Sequence, residues 1–191
     1  MFGSLFKKKP PSLRQQLDDL ATCVVNLLPE ATPEGLLEEW SQEQFDKDPY
    51  RLAVVALGND EQRRSTNLWH FDTERIDDHG DYAKIAIRMR DMAGDDLPLS
   101  DVEDFVDVEA KEAWLSFKLD GSAHRWTCEV DNDWVDPKVM SRFGALLAER
   151  KTGRRFTYLD LGGQDCIIGC FTEDERGKLC RVTGLAWEWL T

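Results

Sequence analysis

The sequence has no apolar run long enough to cross a bilayer: the two most continuous stretches, residues 23–28 and 52–57, each stop within two helical turns. An export signal is also missing, because Lys7-Lys8-Lys9 follows a short apolar patch and no apolar core or small-residue cleavage site comes after it. The five cysteines are odd in number and lie inside apolar segments, unlike the loop-rich spacing of a secreted disulfide framework. Together these absences predict a soluble chain with reduced thiols in the cytoplasm. Basic charge is scarce as well. With 24 Lys and Arg against 37 Asp and Glu, the formal net charge is -13, which repels nucleic-acid phosphates and anionic membranes. Direct nucleic-acid binding is therefore not expected. The acidity leaves two readings open, a surface suited to solubility or one suited to a basic partner.

What the sequence does contain is enough material for a core. Its 191 residues are 41% hydrophobic and include seven Trp, a length and composition that support one ordinary domain without disulfide or metal staples. Residues 1–11 read as a basic flexible leader and residues 12–191 as a single α+β domain. Leu13, Leu17, Leu20, Val24, Leu27 and Leu28 recur at three- and four-residue steps, predicting an amphipathic helix over 12–28 that Pro29 ends. Thr32-Pro33-Glu34 opens a second helix with Leu36, Leu37 and Trp40 on its buried stripe, and the two are expected to form an N-terminal helical hairpin.

The run 52–57 is short, continuous and bounded by Asp48-Pro49 and Gly58-Asn59, the pattern of a strand covered on both faces. Alternation over 68–73 predicts a second strand paired with it in a hairpin. A helix follows over 81–93, stopped by Gly94. From Phe105 the period is two, with a hairpin turn at Asp120-Gly121 and a returning strand over 122–130. Asp136-Pro137 caps another helix. A hairpin over 156–171 with Gly162-Gly163 at its turn follows, and Thr172 with Glu175 then forms a capping box for a last helix that Gly184 closes. The order predicts an antiparallel or mixed β-sheet with helices packed on it.

Few constellations carry chemistry. Cys166 and Cys170 would share one strand and not the loop across which a structural zinc site places its chelating pairs, and no His or second Cys pair joins Cys180 to complete a tetrahedral set, so no metal is expected and the thiols read as small buried apolar groups. Cys128 and His124 on one strand would stand about 13 Å apart, too far to share a proton. His70 and His79 reach a cysteine only through the tertiary fold. The acidic runs match no EF-hand loop, and Gly162-Gly163 begins no phosphate-binding loop, so neither a cofactor nor a catalytic residue is assigned.

The segment that stands out is Asp131-Asn132-Asp133-Trp134-Val135-Asp136, a large aromatic among three carboxylates between a strand and a helix cap. Aromatic anchors ringed by charge suit a protein interface, which makes Asp131, Asp133, Trp134 and Asp136 the candidate partner-binding residues. The alternative is structural, with Trp134 stapling the helix and Asp136 capping it.

Asn132-Asp133-Trp134-Val135-Asp136-Pro137, Tyr158-Leu159-Asp160-Leu161-Gly162-Gly163-Gln164-Asp165 and the terminal Gly184-Leu185-x-Trp187-x-Trp189-Leu190 resemble small bacterial immunity proteins encoded beside polymorphic or contact-dependent toxins. The resemblance covers the C-terminal third and transfers no catalytic or binding residue. It implies an antitoxin-like protein that binds a cognate effector in the same cell, and with the net charge of -13 the expectation is neutralisation of a basic effector by direct binding through the acidic surface. The reading from another class is a small intracellular enzyme with a Cys/His or carboxylate site that sequence does not assemble.

Overall fold

The computed structural model describes residues 9–191. Most of the expected basic leader lies outside the described residues. It gives way to Ser12, whose hydroxyl accepts the Gln15 N–H and caps α1 (Leu13–Thr22). Thr32 caps α2 (Pro33–Glu39), with Pro33 at the first position and Glu34 in the first turn. Ser41 and Gln44 form a capping box on α3 (Gln42–Lys47), and α4 (Arg51–Gly58) follows. The expected hairpin is thus part of a larger helical group, in which α1 touches α2, α3 and α4.

Two expectations are corrected here. The helix predicted over 12–28 ends at Thr22, although the apolar spacing continues to Leu28. Val24 takes φ 62, a left-handed conformation that is rare for a β-branched residue, and the side chain of Asn67 holds the departing chain. It donates to the Val24 carbonyl at 2.7 Å and accepts the Asn26 N–H at 3.1 Å. The run 52–57 is not a strand but the body of α4. A short run buried on every side has no face to show, so periodicity does not distinguish strand from helix there.

The strand expected over 68–73 exists as β1 (Leu68–Asp72) but finds a distant partner in place of the 52–57 run. After it come α5 (Asp81–Ala93), a short 3-10 turn, β2 (Leu99–Asp107), β3 (Glu112–Leu119) and β4 (Ser122–Cys128). The β3–β4 turn is Asp120-Gly121, both at positive φ as a two-residue hairpin requires. The chain closes with α6 (Pro137–Glu149), β5 (Arg154–Asp160), β6 (Asp165–Thr172), α7 (Glu173–Thr183) and β7 (Glu188–Trp189). Thr172 and Glu175 form the capping box on α7, and Gly184 ends it in the left-handed conformation.

The protein is α+β with two antiparallel sheets, one ordered β1-β6-β5-β7 and the other β2-β3-β4. Alternation on the larger sheet divides the apolar side chains between two cores. Leu68, Leu159, Ile167 and Phe171 face the helices α1 to α4 and α7. Trp69, Phe71, Phe156, Ile168 and Cys170 face α5 and α6, whose far sides meet Val106, Leu115 and Phe117 of the smaller sheet. The layers therefore run helix, sheet, helix, sheet, and the segment 129–137 joins the smaller sheet to α6 beside the edge of the larger one.

Candidate functional site

The segment singled out in the sequence is stitched onto the chain that leaves β1. The Asp133 carbonyl accepts both the Arg75 N–H at 2.8 Å and the Ile76 N–H at 2.9 Å, and the Val135 N–H donates to the Thr73 carbonyl at 2.8 Å. Trp134 and Glu74 form an isolated antiparallel bridge. Within the loop the Trp134 N–H closes a turn on the Asp131 carbonyl at 3.1 Å, with Asn132 at φ 49. Asn tolerates that left-handed position better than most residues. The loop is consequently fixed by its backbone, and the side chains of Asp131, Asp133 and Trp134 are left exposed.

Asp136 behaves differently from the other three. It is only 3% exposed. One carboxylate oxygen accepts the Lys138 N–H at 2.9 Å as the cap of α6, the other accepts the Glu129 N–H at 2.9 Å, and its own N–H donates to the Tyr82 hydroxyl at 3.1 Å. A carboxylate so engaged holds the loop between β4 and α6 and is spent as a partner contact. Burial raises the Tyr82 hydroxyl above its ordinary pKa, keeping it neutral in this junction.

Trp134 is 40% exposed, and only Val24 and Leu37 are comparable among the large apolar side chains of the described residues. It stands at the rim of a groove of about 400 Å³, which Glu129 and Asp131 line with carboxylates and Val135 and Pro137 floor. The Glu129 carboxylate lies 2.8 Å from the Lys138 ammonium, and the buried Asp136, which also lines the groove, is held by backbone N–H groups, so Asp131 is the exposed carboxylate of this wall without an ion pair among the described residues. Asp133 does not line the groove. Thr73, Val135 and Pro137 also line an adjoining apolar cleft of about 190 Å³, which Met140, Tyr158, Cys166 and Leu190 complete. One end of the combined groove is acidic and the other apolar. Sequence reasoning found the acidic rim, because it is one contiguous segment. It missed the cleft, whose walls come from β1, α6, β5, β6 and the C-terminal tail.

The thiols are placed away from acid-base partners. Cys166 and Cys170 belong to the core shared with α5 and α6, and Cys180 is packed on the opposite side of the larger sheet. Burial pushes the thiols of Cys128, Cys166 and Cys170 up to about 12, and nearby carboxylates push Cys128 and Cys166 in the same direction. Such thiols stay protonated at neutral pH and are poor nucleophiles. His70 lies 3.4 Å from Asp165 on the sheet face opposite Cys166, while His124 stacks on Phe117 with ring centroids 5.1 Å apart. His79 accepts the Val106 N–H at 3.1 Å. Among the described residues no three His, Cys, Asp or Glu side chains converge as a ligand set. No protein-family model, no curated protein and no solved structure matches the chain.

Proposed function

We propose that the chain is an immunity- or antitoxin-like binding protein that neutralises a basic effector by holding one of its cationic segments in the groove beside Trp134. The observation that carries this reading is the pairing of an exposed tryptophan and an Asp131 without an ion pair among the described residues with an apolar cleft that adjoins them. An aromatic anchor in a partly desolvated pocket supplies lifetime, and the surrounding negative charge supplies orientation and encounter rate. The backbone bonds from Asp133 and Val135 fix the loop before binding, so little ordering entropy is lost on association. The enzyme alternative has no support from the thiols, since the three with resolved shifts are buried and held protonated.

The test is capture of partners from lysate of the source cells by the tagged full chain, followed by titration of the captured protein against variants. Trp134→Ala is expected to weaken the complex by roughly thirtyfold, as loss of a central aromatic anchor of about 2 kcal/mol requires. Asp131→Asn should weaken it severalfold, and Leu37→Ala, at an exposed apolar residue on the helical side, should change nothing. Equal affinity of Trp134→Ala and the parent, or absence of any stoichiometric basic partner, would sink the reading.

A further inference from the structure

A second cavity lies against α5 and is lined by cations as well as carboxylates. Arg88, on α5, is 4% exposed, yet no carboxylate lies within ion-pair distance of it among the described residues. One guanidinium nitrogen donates to the Leu68 carbonyl at 2.8 Å, and its Nε has no hydrogen-bond partner. Burying a guanidinium without a counter-charge costs several kcal/mol, so a lone buried arginine calls for an anion. Arg88 lines a cavity of about 230 Å³ together with Arg63, Arg75, Lys84 and Trp69. Four cations from three parts of the chain converge there, with Asp60 and Glu61 as the carboxylates of the same lining, in a protein whose net charge is -13. Lys84 and Arg88 are four residues apart on one face of α5. The Trp69 indole Nε1, in the same wall, is a second buried donor without a partner.

The geometry points to this cavity as a binding site for a phosphate group, free or as a small monoester, with Arg88 as its innermost contact. Arg63, Arg75 and Lys84 are at present held by Asp91 at 3.6 Å, Asp60 at 3.2 Å and Asp81 at 2.8 Å. Asp60 also lines the cavity, so an entering anion displaces its carboxylate from Arg75 and takes over the guanidinium. Several converging cations favour a multiply charged tetrahedral anion over a single carboxylate, and a guanidinium flanked by an ammonium is a recurrent phosphate cradle. Burial first, and then the Arg63 charge, lower the pKa of the Arg88 guanidinium, and the more distant Asp60 and Asp91 carboxylates oppose this only in part, so a directly contacting anion relieves the strain. The site shares no residue with the groove at Trp134 and does not rest on the function proposed for it.

The test is an NMR titration of the nitrogen-15-labelled full chain with orthophosphate, and separately with glycerol phosphate, against sodium chloride of equal ionic strength. Saturable shifts of the Arg88 Nε–H and Trp69 Nε1–H signals with either phosphate species support the site, and the tighter of the two identifies the source. Arg63→Gln with Lys84→Gln, both at exposed positions, should weaken binding at least tenfold. Arg88→Met should abolish it while leaving the protein folded, because an apolar group of similar length replaces an unpaired buried charge. Shifts no larger than chloride produces, an unchanged Trp69 response in Arg88→Met, or saturation by acetate but not by phosphate would overturn the assignment.

Discussion

Burial of Cys128, Cys166 and Cys170 fixes how stability responds to alkali. In the unfolded chain these thiols ionise near 9.0, whereas in the folded protein they ionise near 12. Between those values the unfolded state has lost protons that the native state keeps, so unfolding gains ground as pH rises. Below pH 9 the thiols contribute no pH dependence. Each adds a fall of about 1.4 kcal/mol per pH unit across the window between. Tyr50, raised to about 12 by burial and then by Asp19, acts in the same direction. In urea titrations at a series of pH values, the advantage of the parent over Cys170→Ala should be constant up to pH 9 and shrink above it. A constant difference through pH 11 would show that the thiol is not held protonated. The same residue-scale view separates the candidate site residues. The dipeptide Asp136-Pro137 announced a helix cap in the sequence, but the Glu129 N–H and the Tyr82 hydroxyl that complete the junction come from other elements.

At the scale of elements, one substitution has opposite outcomes on two helices. Gly144 on α6 lies against the backbone of Leu190, and a Cβ there would stand 3.1 Å from the Leu190 carbonyl carbon and still closer to its oxygen. Leu190 is tied in place by its N–H bond to the Phe156 carbonyl at 2.9 Å, so it has little freedom to yield. Gly144→Ala is expected to cost about 1–3 kcal/mol in urea unfolding by overpacking. It should also loosen the C-terminal tail that closes the apolar cleft. Gly177 inside α7 meets only the flexible end of Arg181, at 3.4 Å. Gly177→Ala should therefore raise stability by about 0.5–1 kcal/mol through helix propensity. Destabilisation by both, or by neither, contradicts the packing described here. The helices that sequence located best, α5, α6 and α7, each have an amphipathic face and a terminal signal, Gly94 after α5, Asp136 before α6 and Thr172 before α7. Sequence spacing overran α1 because the stop at Val24 is imposed by Asn67, which lies far along the chain.

For the whole molecule, the net charge of -13 bears on the proposed encounter with a basic partner. Stopped-flow association with the captured effector should slow by about an order of magnitude or more between low and high salt, because screening removes long-range steering. Trp134→Ala should instead raise the dissociation rate and leave the salt dependence in place. An association rate indifferent to salt would assign the acidity to solubility alone. The two sites are lined by different residues: the acidic groove by Thr73 and Trp134 among others, and the cation-rich cavity by Trp69 and Arg88 among others. By itself the sequence determined the α+β class, the capped helices, the Asp120-Gly121 and Gly162-Gly163 turns and the prominence of Trp134, because caps, turns and alternation are local properties of neighbouring residues. Only the tertiary structure decided that residues 52–57 form a helix, that β1 pairs with β6, that Asp136 is a buried strut and that three cations meet around Arg88. Each of those depends on contacts between residues far apart in the chain, where periodicity and spacing carry no information.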